Sequence, residues 1–336
     1  MALDPVRFGI IGLGAFGETY LACLAGLRDS AGVEVTAVCS HSAERAQAVA
    51  ARYGVPRWYT DASDLASDPT VDVAVVVTYE AEHLRPTVAC LEAGKDVIVE
   101  KPMTTNLAEA DEMISSARST GRKLMVGHVL RFCSPYCLVA ERIAAGELGK
   151  VVSMRSRQNR PAQATARYRR THPLLELAVH DVDSMIWLSA SPVARVRCFQ
   201  RTVNPGPSPD LVVGILEFQS GALGLVETNL VAADQGGLFS DDELTVVGDR
   251  GTARIDATRA PLAVWSADGY TVPDVLYEPR VDGGVIGAVR DELLYFVGCV
   301  RANRQPDRVP LADARHGLEV LLAMIRSAEE GRDVSL

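Results

Sequence analysis

The first residue with evident chemical potential is Lys101, which follows a short apolar segment at residues 97–99 and precedes Pro102. An apolar run that ends at polar residues and a proline is typical of a buried parallel strand, and residues 106–119 then show helical spacing. Lys101 is therefore predicted at the carboxyl end of a strand, the edge at which open α/β sheets bind ligands. A lysine there is a candidate catalytic group. The alternative is a surface lysine at a strand end.

Glu176 and His180 form a second candidate group. Residues 174–188 have helical periodicity, so side chains four positions apart lie on one face of the predicted helix. A carboxylate beside an imidazole orients the ring and raises its basicity, as in an acid/base pair. The alternative is a packed histidine that Glu176 satisfies, because the neighbouring residues are apolar.

A glycine-rich segment, Gly-Leu-Gly-Ala-Phe-Gly, begins at Gly12. It follows an apolar strand pattern at residues 6–11 and precedes helical spacing at residues 19–27. In that context the pattern indicates dinucleotide binding. Gly12 permits the tight turn, Gly14 lets a pyrophosphate approach the backbone, and Gly17 lets the helix pack closely on the strand. A glycine-rich turn without a ligand is the alternative.

The second predicted strand, residues 33–39, ends without the acidic residue that binds the ribose diol in NAD-specific folds. Ser40 and His41 follow it, and Arg45 comes early in the next helix. These groups tolerate or bind a 2′-phosphate that a carboxylate would repel, so we expect NADP rather than NAD. The alternative is that Arg45 belongs to a solvated helix face and that both cofactors bind.

The succession of elements predicts two domains. Strand and helix patterns alternate through residues 1–126, which is typical of an α/β Rossmann domain with a doubly wound parallel sheet. From Gly127 onwards the pattern changes to many strands with short turns, such as Ser220-Gly221. Residues 127–336 are therefore predicted to form an α+β domain with an open, predominantly antiparallel sheet.

Six arginines lie between residues 155 and 170 of an otherwise acidic chain. They would suit an anion-binding wall for a phosphate or carboxylate of a substrate. We favour a solvated loop or a subunit contact, because charge runs are usually solvated.

Composition narrows the classes of function. The formal net charge of −9 argues against a general nucleic-acid or anionic-membrane binder. No apolar run approaches the roughly 18 residues of a membrane span, and the first residues lack an ordinary signal peptide. Seven cysteines without CxxC pairs favour a reduced, cytoplasmic protein, and we predict no metal site.

Three separated motifs occur together: the glycine-rich segment, Glu100-Lys101-Pro102, and an acidic residue four positions before His180. In this order and spacing the chain resembles the glucose–fructose oxidoreductase, inositol dehydrogenase and MocA family of NAD(P)-dependent oxidoreductases. Residues 127–132 and 146–149 agree as well, and the tail at residues 318–334 is similar to the closing helix of the family. The resemblance covers nearly the whole chain.

The resemblance implies a Rossmann domain followed by a domain whose open sheet often forms the subunit interface, so we expect a homodimer or homotetramer. It also allows the C-terminal helix to pack back on the first domain. The implied reaction transfers a hydride between the nicotinamide and a hydroxyl or keto carbon of a sugar, cyclitol or related polyol, with an anionic sugar derivative as one option. The rival hypothesis is a non-catalytic regulatory protein that binds a dinucleotide or sugar on the same fold.

By the same resemblance, Lys101 would hydrogen-bond the reacting oxygen, His180 would be the general acid/base, and Glu176 would support it. The predicted cofactor contacts are Gly12, Gly14, Ala15, Phe16, Gly17, Ser40, His41, Arg45, Thr78, His83, Glu100 and Lys101. The predicted substrate contacts are Arg131, Asn159, Arg160 and Tyr168. The chain departs from the family pattern in having Glu176 where aspartate is usual, and in lacking Pro-Asn after Thr78.

Overall fold

The computed structural model describes residues 4–161, 171–204, 206, 208–232, 240–256, 262, 264–266, 269–271, 273–281 and 284–336. The chain forms two compact units. The first is Met1–Phe132 with Tyr277–Arg315, and the second is Cys133–Leu276 with His316–Leu336. The sequence prediction differs, since it assigns all of 127–336 to one domain. The predicted domain boundary between residues 126 and 127 stays a prediction.

A parallel sheet forms the centre of the first unit. Its described strands are β1 (Val6–Ile11), β2 (Val33–Cys39), β3 (Arg57–Tyr59), β4 (Val73–Val76), β5 (Asp96–Glu100) and β6 (Leu124–Gly127), in the spatial order β3-β2-β1-β4-β5-β6. Strands β4, β5 and β6 are buried throughout, as expected of a sheet covered on both faces. The predicted doubly wound parallel sheet is confirmed, and its order reverses between β1 and β4, where such sheets bind ligands.

The helices of this unit follow the strands. They are α1 (Ala15–Ala31), α2 (Ala43–Tyr53), α3 (Ala62–Ser67), α4 (Leu84–Glu92) and α5 (Leu107–Thr120). Ser42 caps α2 by accepting the backbone N–H of Arg45, and Gly54 ends it in the left-handed conformation. Short 3₁₀ turns lie at Glu80–Glu82 and Val129–Phe132.

The second unit is built on an open sheet. It also contains helix α6 (Ser134–Ala144), a π-helical segment (Leu174–Ala178) and helix α7 (Val179–Ser189). Its described strands are β7 (Val151–Pro161), β8 (Val193–Arg201), β9 (Leu211–Phe218), β10 (Leu223–Ala232), β11 (Asp241–Gly248) and β12 (Thr252–Asp256). A hairpin follows, with strands β13 (Val264–Ser266) and β14 (Gly269–Thr271).

The last elements are β15 (Arg280–Val281), β16 (Gly284–Val285), α8 (Ala288–Arg301), α9 (Leu311–Glu330) and β17 (Val334–Ser335). The open sheet has the order β12-β11-β7-β10-β9-β8-β17, and β7 pairs with β10 in parallel while the other neighbouring strands are antiparallel. The predicted mostly antiparallel sheet is therefore confirmed. Helix α9 is longer at its start than the predicted tail helix, and Gly331 with φ of +66° follows its last turn.

Candidate active site

The loop between β1 and α1 contains two glycines that packing requires. Gly12 has φ of +105°, and a Cβ there would lie 2.5 Å from the carbonyl oxygen of Val77 at the end of β4. A Cβ on Gly17 would collide with the carbonyl oxygen of Gly12. At Gly14, by contrast, a Cβ would meet no described atom within 4 Å. The chain therefore has space in front of Gly14 that its own packing does not use.

Helix α1 begins directly behind that space, at Ala15. Gly14 is its N-cap, and no side-chain capping hydrogen bond is present at this position. The first-turn amides carry the positive end of the helix dipole, which is a favourable position for phosphate oxygens. The open glycine, the uncapped helix and the strand reversal together fit the pyrophosphate of a dinucleotide.

The residues that follow β2 border the same loop. His41 is exposed and Ser40 is half-buried. The guanidinium of Arg45 donates to the carbonyl oxygen of Leu13 at 2.9 and 3.0 Å and forms an ion pair with Glu18. Arg45 is thus bonded to the glycine-rich loop and to helix α1, so a 2′-phosphate would have to compete with the carboxylate of Glu18.

His83 joins the loops that follow β4 and β5. Its ring is 1% exposed, with Nδ1 3.1 Å from the carbonyl oxygen of Pro102 and Nε2 3.2 Å from that of Thr78. Burial lowers the pKa of His83, so the ring is neutral and donates to one of these carbonyls. His83 therefore links the two loops through the carbonyl oxygens of Thr78 and Pro102. Its direct contact with a cofactor stays a prediction. Thr78 is half-buried, and its hydroxyl donates to the carbonyl oxygen of Glu82 at 3.3 Å.

Glu100 and Lys101 lie at the carboxyl end of β5, as the sequence predicts. Glu100 is 7% exposed, and its Oε2 accepts the backbone N–H of Lys101 at 3.0 Å. Oε1 accepts the hydroxyl of Tyr20, from helix α1, at 2.7 Å. Lys101 is half-buried. The first unit therefore gathers most of the predicted cofactor contacts on loops at one edge of its sheet.

Glu176 and His180 lie in one continuous helical stretch of the second unit. The predicted helix at residues 174–188 is present, but its first five residues are π-helical, with a wider turn than an α-helix. Within residues 174–180, Glu176 and His180 are half-buried and the others are buried. The two side chains therefore share the less buried side of this stretch.

Two predicted substrate contacts, Asn159 and Arg160, are consecutive residues of β7, so their side chains lie on opposite faces of the sheet. Arg160 is 8% exposed and forms a close ion pair with Asp242 of β11, 2.5 Å from Nη1 to Oδ1. Asn159 donates to Asp241 at 3.1 Å and accepts from Asn229 at 2.7 Å. Both side chains are engaged within the sheet, so their predicted substrate contacts gain no support.

Arg131 differs from its prediction in a similar way. It is 1% exposed, and its guanidinium donates to the carbonyl oxygen of Arg308 and to Asp313, each at 3.1 Å. A buried arginine needs such partners because an unpaired charge in the interior is costly. Arg131 therefore holds the first unit together. The remaining predicted substrate contact, Tyr168, lies outside the described residues.

The acids of β11 account for part of the arginine-rich stretch. Arg157 lies 2.7 Å from Asp241 and 3.5 Å from Glu243, and Arg160 pairs with Asp242. The positive charge of these two arginines is therefore compensated within the sheet, and they give no support to an anion-binding wall.

Two buried acids near the candidate residues, Asp181 and Glu292, were not predicted from the sequence. Asp181 follows His180 directly, accepts a hydrogen bond from Gln158 at 3.3 Å, and has its pKa raised by burial and then by Asp242. Glu292 of α8 lies 3.1 Å from the hydroxyl of Tyr20. The sequence contained one signal for Glu292, because this acid lies on the apolar face of its helix. Its neighbours Val289, Leu293 and Phe296 on that face are buried.

All seven cysteines are free. Among the residues with described positions, no group of three or more histidines, cysteines, aspartates or glutamates is placed to hold a metal ion. Of the helices in that part of the chain, none has the length and apolar character needed to cross a membrane.

Two family models match successive parts of the chain. The oxidoreductase family with an NAD-binding Rossmann fold matches residues 6–128, and the GFO/IDH/MocA C-terminal domain matches residues 136–254. The 4-carboxy-2-hydroxymuconate-6-semialdehyde dehydrogenase of Sphingobium sp. is 32% identical over 225 residues, 65% of this chain and 70% of that protein. The chain belongs to the GFO/IDH/MocA family of oxidoreductases.

Similarity to other known proteins extends over nearly the whole chain. The scyllo-inositol 2-dehydrogenase (NAD(+)) of Bacillus subtilis is 28% identical over 343 residues, 98% of this chain and 96% of that protein. The crystal structure of a probable dehydrogenase from Thermotoga maritima matches with a TM-score of 0.82 at 25% identity, and 98% of each chain is covered. The predicted family, its fold and its oxidoreductase class are confirmed.

Proposed function

We propose that this oxidoreductase interconverts a hydroxyl and a keto group on a sugar, cyclitol or related polyol, with NAD(P) as its cofactor. The observation that carries the proposal is that the open Gly14, the uncapped start of α1 and Lys101 all follow strands of one parallel sheet, at its carboxyl edge. The scyllo-inositol 2-dehydrogenase of Bacillus subtilis supports the substrate class, because its similarity spans 98% of the chain.

The roles follow from the chemistry of the side chains. Lys101 would donate to the reacting oxygen and stabilise the negative charge that develops on it during oxidation. His180 would take the hydroxyl proton and return it in the reverse reaction, with Glu176 favouring the protonated ring. The nicotinamide ring, when bound, accepts or supplies the hydride.

We infer that NADP binds more tightly than NAD, because β2 is followed by Ser40 and His41, without a carboxylate to repel the 2′-phosphate. Arg45 would exchange its partner Glu18 for the phosphate. We predict that Arg45→Ala weakens NADPH binding by about tenfold and leaves NADH binding nearly unchanged, since a charged hydrogen bond contributes about 1.5–3 kcal/mol. Fluorescence titration of both cofactors tests this. Tighter binding of NADH by the wild type would show that NAD is preferred.

The proposed activity is tested by assaying the purified protein with NAD⁺ and NADP⁺ against cyclitols, aldoses and sugar acids. We expect reduced nicotinamide to form with neutral polyols, with a KM that salt hardly changes, because Arg157 and Arg160 are already paired. A KM that rises steeply with salt on a sugar acid would favour the anionic substrate instead. Tight cofactor binding with no turnover of any polyol, sugar or sugar acid would favour the regulatory alternative.

We also propose that the outer face of the open sheet forms a contact between copies of this chain. Phe199, Ile215 and Leu223 are 50%, 41% and 50% exposed. The strand register places these three side chains on one face of the sheet. Ile215 pairs with Arg197, which is two residues before Phe199, and with Leu225, which is two residues after Leu223. Residues two apart in a strand point to the same face. Clustered exposed apolar side chains on a sheet face mark an interaction surface.

A further inference from the structure

Three buried side chains of the first unit meet beside the backbone of Lys101. The hydroxyl of Tyr20 lies 2.7 Å from Oε1 of Glu100 and 3.1 Å from Oε2 of Glu292. Gly127 leaves room for this group, because a Cβ there would lie 2.8 Å from Oε1 of Glu100. The three side chains come from α1, β5 and α8, so elements far apart in the sequence converge at this point.

Proton counting assigns a protonation state to the cluster. Tyr20 has one hydroxyl proton for two carboxyl partners, and we assign it to Glu100, which is the nearer of the two. The contact with Glu292 then requires a proton on the carboxyl of Glu292. The other oxygen of Glu292 is buried and has no hydrogen-bond partner among the described residues, which a neutral acid tolerates far better than an ionised one.

The surroundings of Glu292 favour the same state. Burial, and then the charge of Glu100, raises the pKa of Glu292 well above its ordinary value. Helix α8 packs against α1 and against the turn Val129–Phe132. Cys23 of α1 is neutral because burial raises its pKa to about 12, and Arg131 of the turn is bonded to Arg308 and Asp313.

We propose that Glu292 is a positioning residue that, as a neutral acid, donates to Tyr20 and thereby fixes the Glu100 carboxylate and the backbone of Lys101. The connection is direct, since the same Glu100 carboxylate accepts the N–H of Lys101 at 3.0 Å. Neutral Glu292 leaves Glu100 as the one charged carboxylate of the pair. The inference rests on the proposed function in one respect, namely that Lys101 contacts the reacting oxygen.

Four variants separate the proposal from a general loss of stability. Glu292→Gln keeps the size and the neutral donor, Glu292→Ala removes them, and Tyr20→Phe removes the bridging hydroxyl. Asp291→Asn is the matched control, because Asp291 is the exposed neighbour on the same helix. Hydrogen exchange of the peptide that contains Lys101 is measured without substrate, with a peptide of β2 as the internal reference.

We expect faster exchange at Lys101 than at the reference peptide in Glu292→Ala and Tyr20→Phe, and wild-type exchange in Glu292→Gln and Asp291→Asn. We expect kcat to fall in the first two variants by up to roughly 10²-fold, the cost of misplacing a catalytic group, with little change in KM. Unchanged exchange in both Glu292→Ala and Tyr20→Phe would overturn the positioning role, whether or not the protein turns over a polyol. Changed exchange in a protein without turnover would instead contradict the proposed function alone.

The protonation state has its own test. A raised pKa means that the folded protein keeps a proton that the unfolded chain has released, so this group lowers the free energy of unfolding as pH rises. Glu292→Gln removes that penalty. Its stability relative to the wild type should therefore increase in urea unfolding as pH rises above the ordinary glutamate pKa of 4.5. A difference that stays constant or shrinks over this range would show that Glu292 is ionised.

Discussion

His83 illustrates how a single buried side chain couples stability to pH. Its lowered pKa means that the unfolded chain binds a proton near the ordinary value while the folded chain does not. The free energy of unfolding should therefore decrease as pH falls through the ordinary value towards the folded one. The ring also joins two loops through the carbonyl oxygens of Thr78 and Pro102.

We predict that His83→Ala lowers the free energy of unfolding at neutral pH by about 1–3 kcal/mol, because buried carbonyl groups lose their partner. The acid-side decrease should also become shallower, although His172, whose pKa burial likewise lowers, keeps part of it. Urea unfolding at a series of pH values measures both effects. His41→Ala is the control, since His41 is exposed, and an equal effect in the two variants would contradict this account.

Local residue patterns predicted much of the chemistry at this scale. The glycine-rich segment, Lys101 and the Glu176–His180 spacing are short-range features, and the structure places them on the expected elements. The partners of Arg131 and Tyr20 were not predictable, because Asp313 and Glu292 lie 182 and 272 positions away in the sequence. Only tertiary packing brings such groups together.

At the scale of elements, two glycines of the β1–α1 loop have different roles. The fold itself requires Gly12, whereas Gly14 leaves space that a ligand could occupy. Gly12 is required by its φ of +105° and by the close approach of Val77. Gly14 has no such constraint in the part of the chain that the structure describes. A methyl group at the two positions should therefore have different consequences.

We predict that Gly14→Ala keeps wild-type stability but weakens dinucleotide binding by at least about tenfold, because the methyl group occupies the approach to the helix N-terminus. Gly12→Ala should lower the free energy of unfolding by more than about 2 kcal/mol, from backbone strain and the clash with Val77. Thermal unfolding and NADPH titration of both variants distinguish these effects. Full cofactor affinity in a folded Gly14→Ala protein would place the pyrophosphate elsewhere.

Regular elements were predicted best where periodicity is strong. Strands Val6–Ile11 and Val33–Cys39 have the predicted bounds. Strand β3 was missed because three partly exposed residues carry too little pattern. The parallel pairing of β7 with β10 was missed because pairing partners are a property of the whole sheet.

At the scale of the whole molecule, the open sheet has one face that the second unit covers. Val212, Leu216 and Phe218 of β9 are buried, and Met324 of α9 lies so close to Gly214 that a Cβ there would clash. The other face presents Phe199, Ile215 and Leu223, so it is the side on which we propose that a second copy binds.

We predict that Ile215→Arg converts the wild-type oligomer into a smaller species, because a charge would be buried at a self-contact that repeats it by symmetry. Sedimentation velocity of the two proteins gives the assembly state. Leu138→Arg is the control, since Leu138 is 56% exposed on helix α6 and does not belong to the sheet. A wild-type protein that is monomeric at high concentration would refute the interface.

The central claim is that Lys101 and His180 carry the proton transfer of a dinucleotide-dependent oxidation, and kcat measured with Lys101→Met and His180→Gln tests it most directly. We expect kcat to fall by roughly 10²–10⁴-fold in each variant, with the cofactor affinity of His180→Gln close to that of the wild type. The exposed Lys150→Met should leave kcat unchanged. Wild-type kcat in either catalytic variant, on a substrate that the wild type oxidises, would contradict the role of that residue.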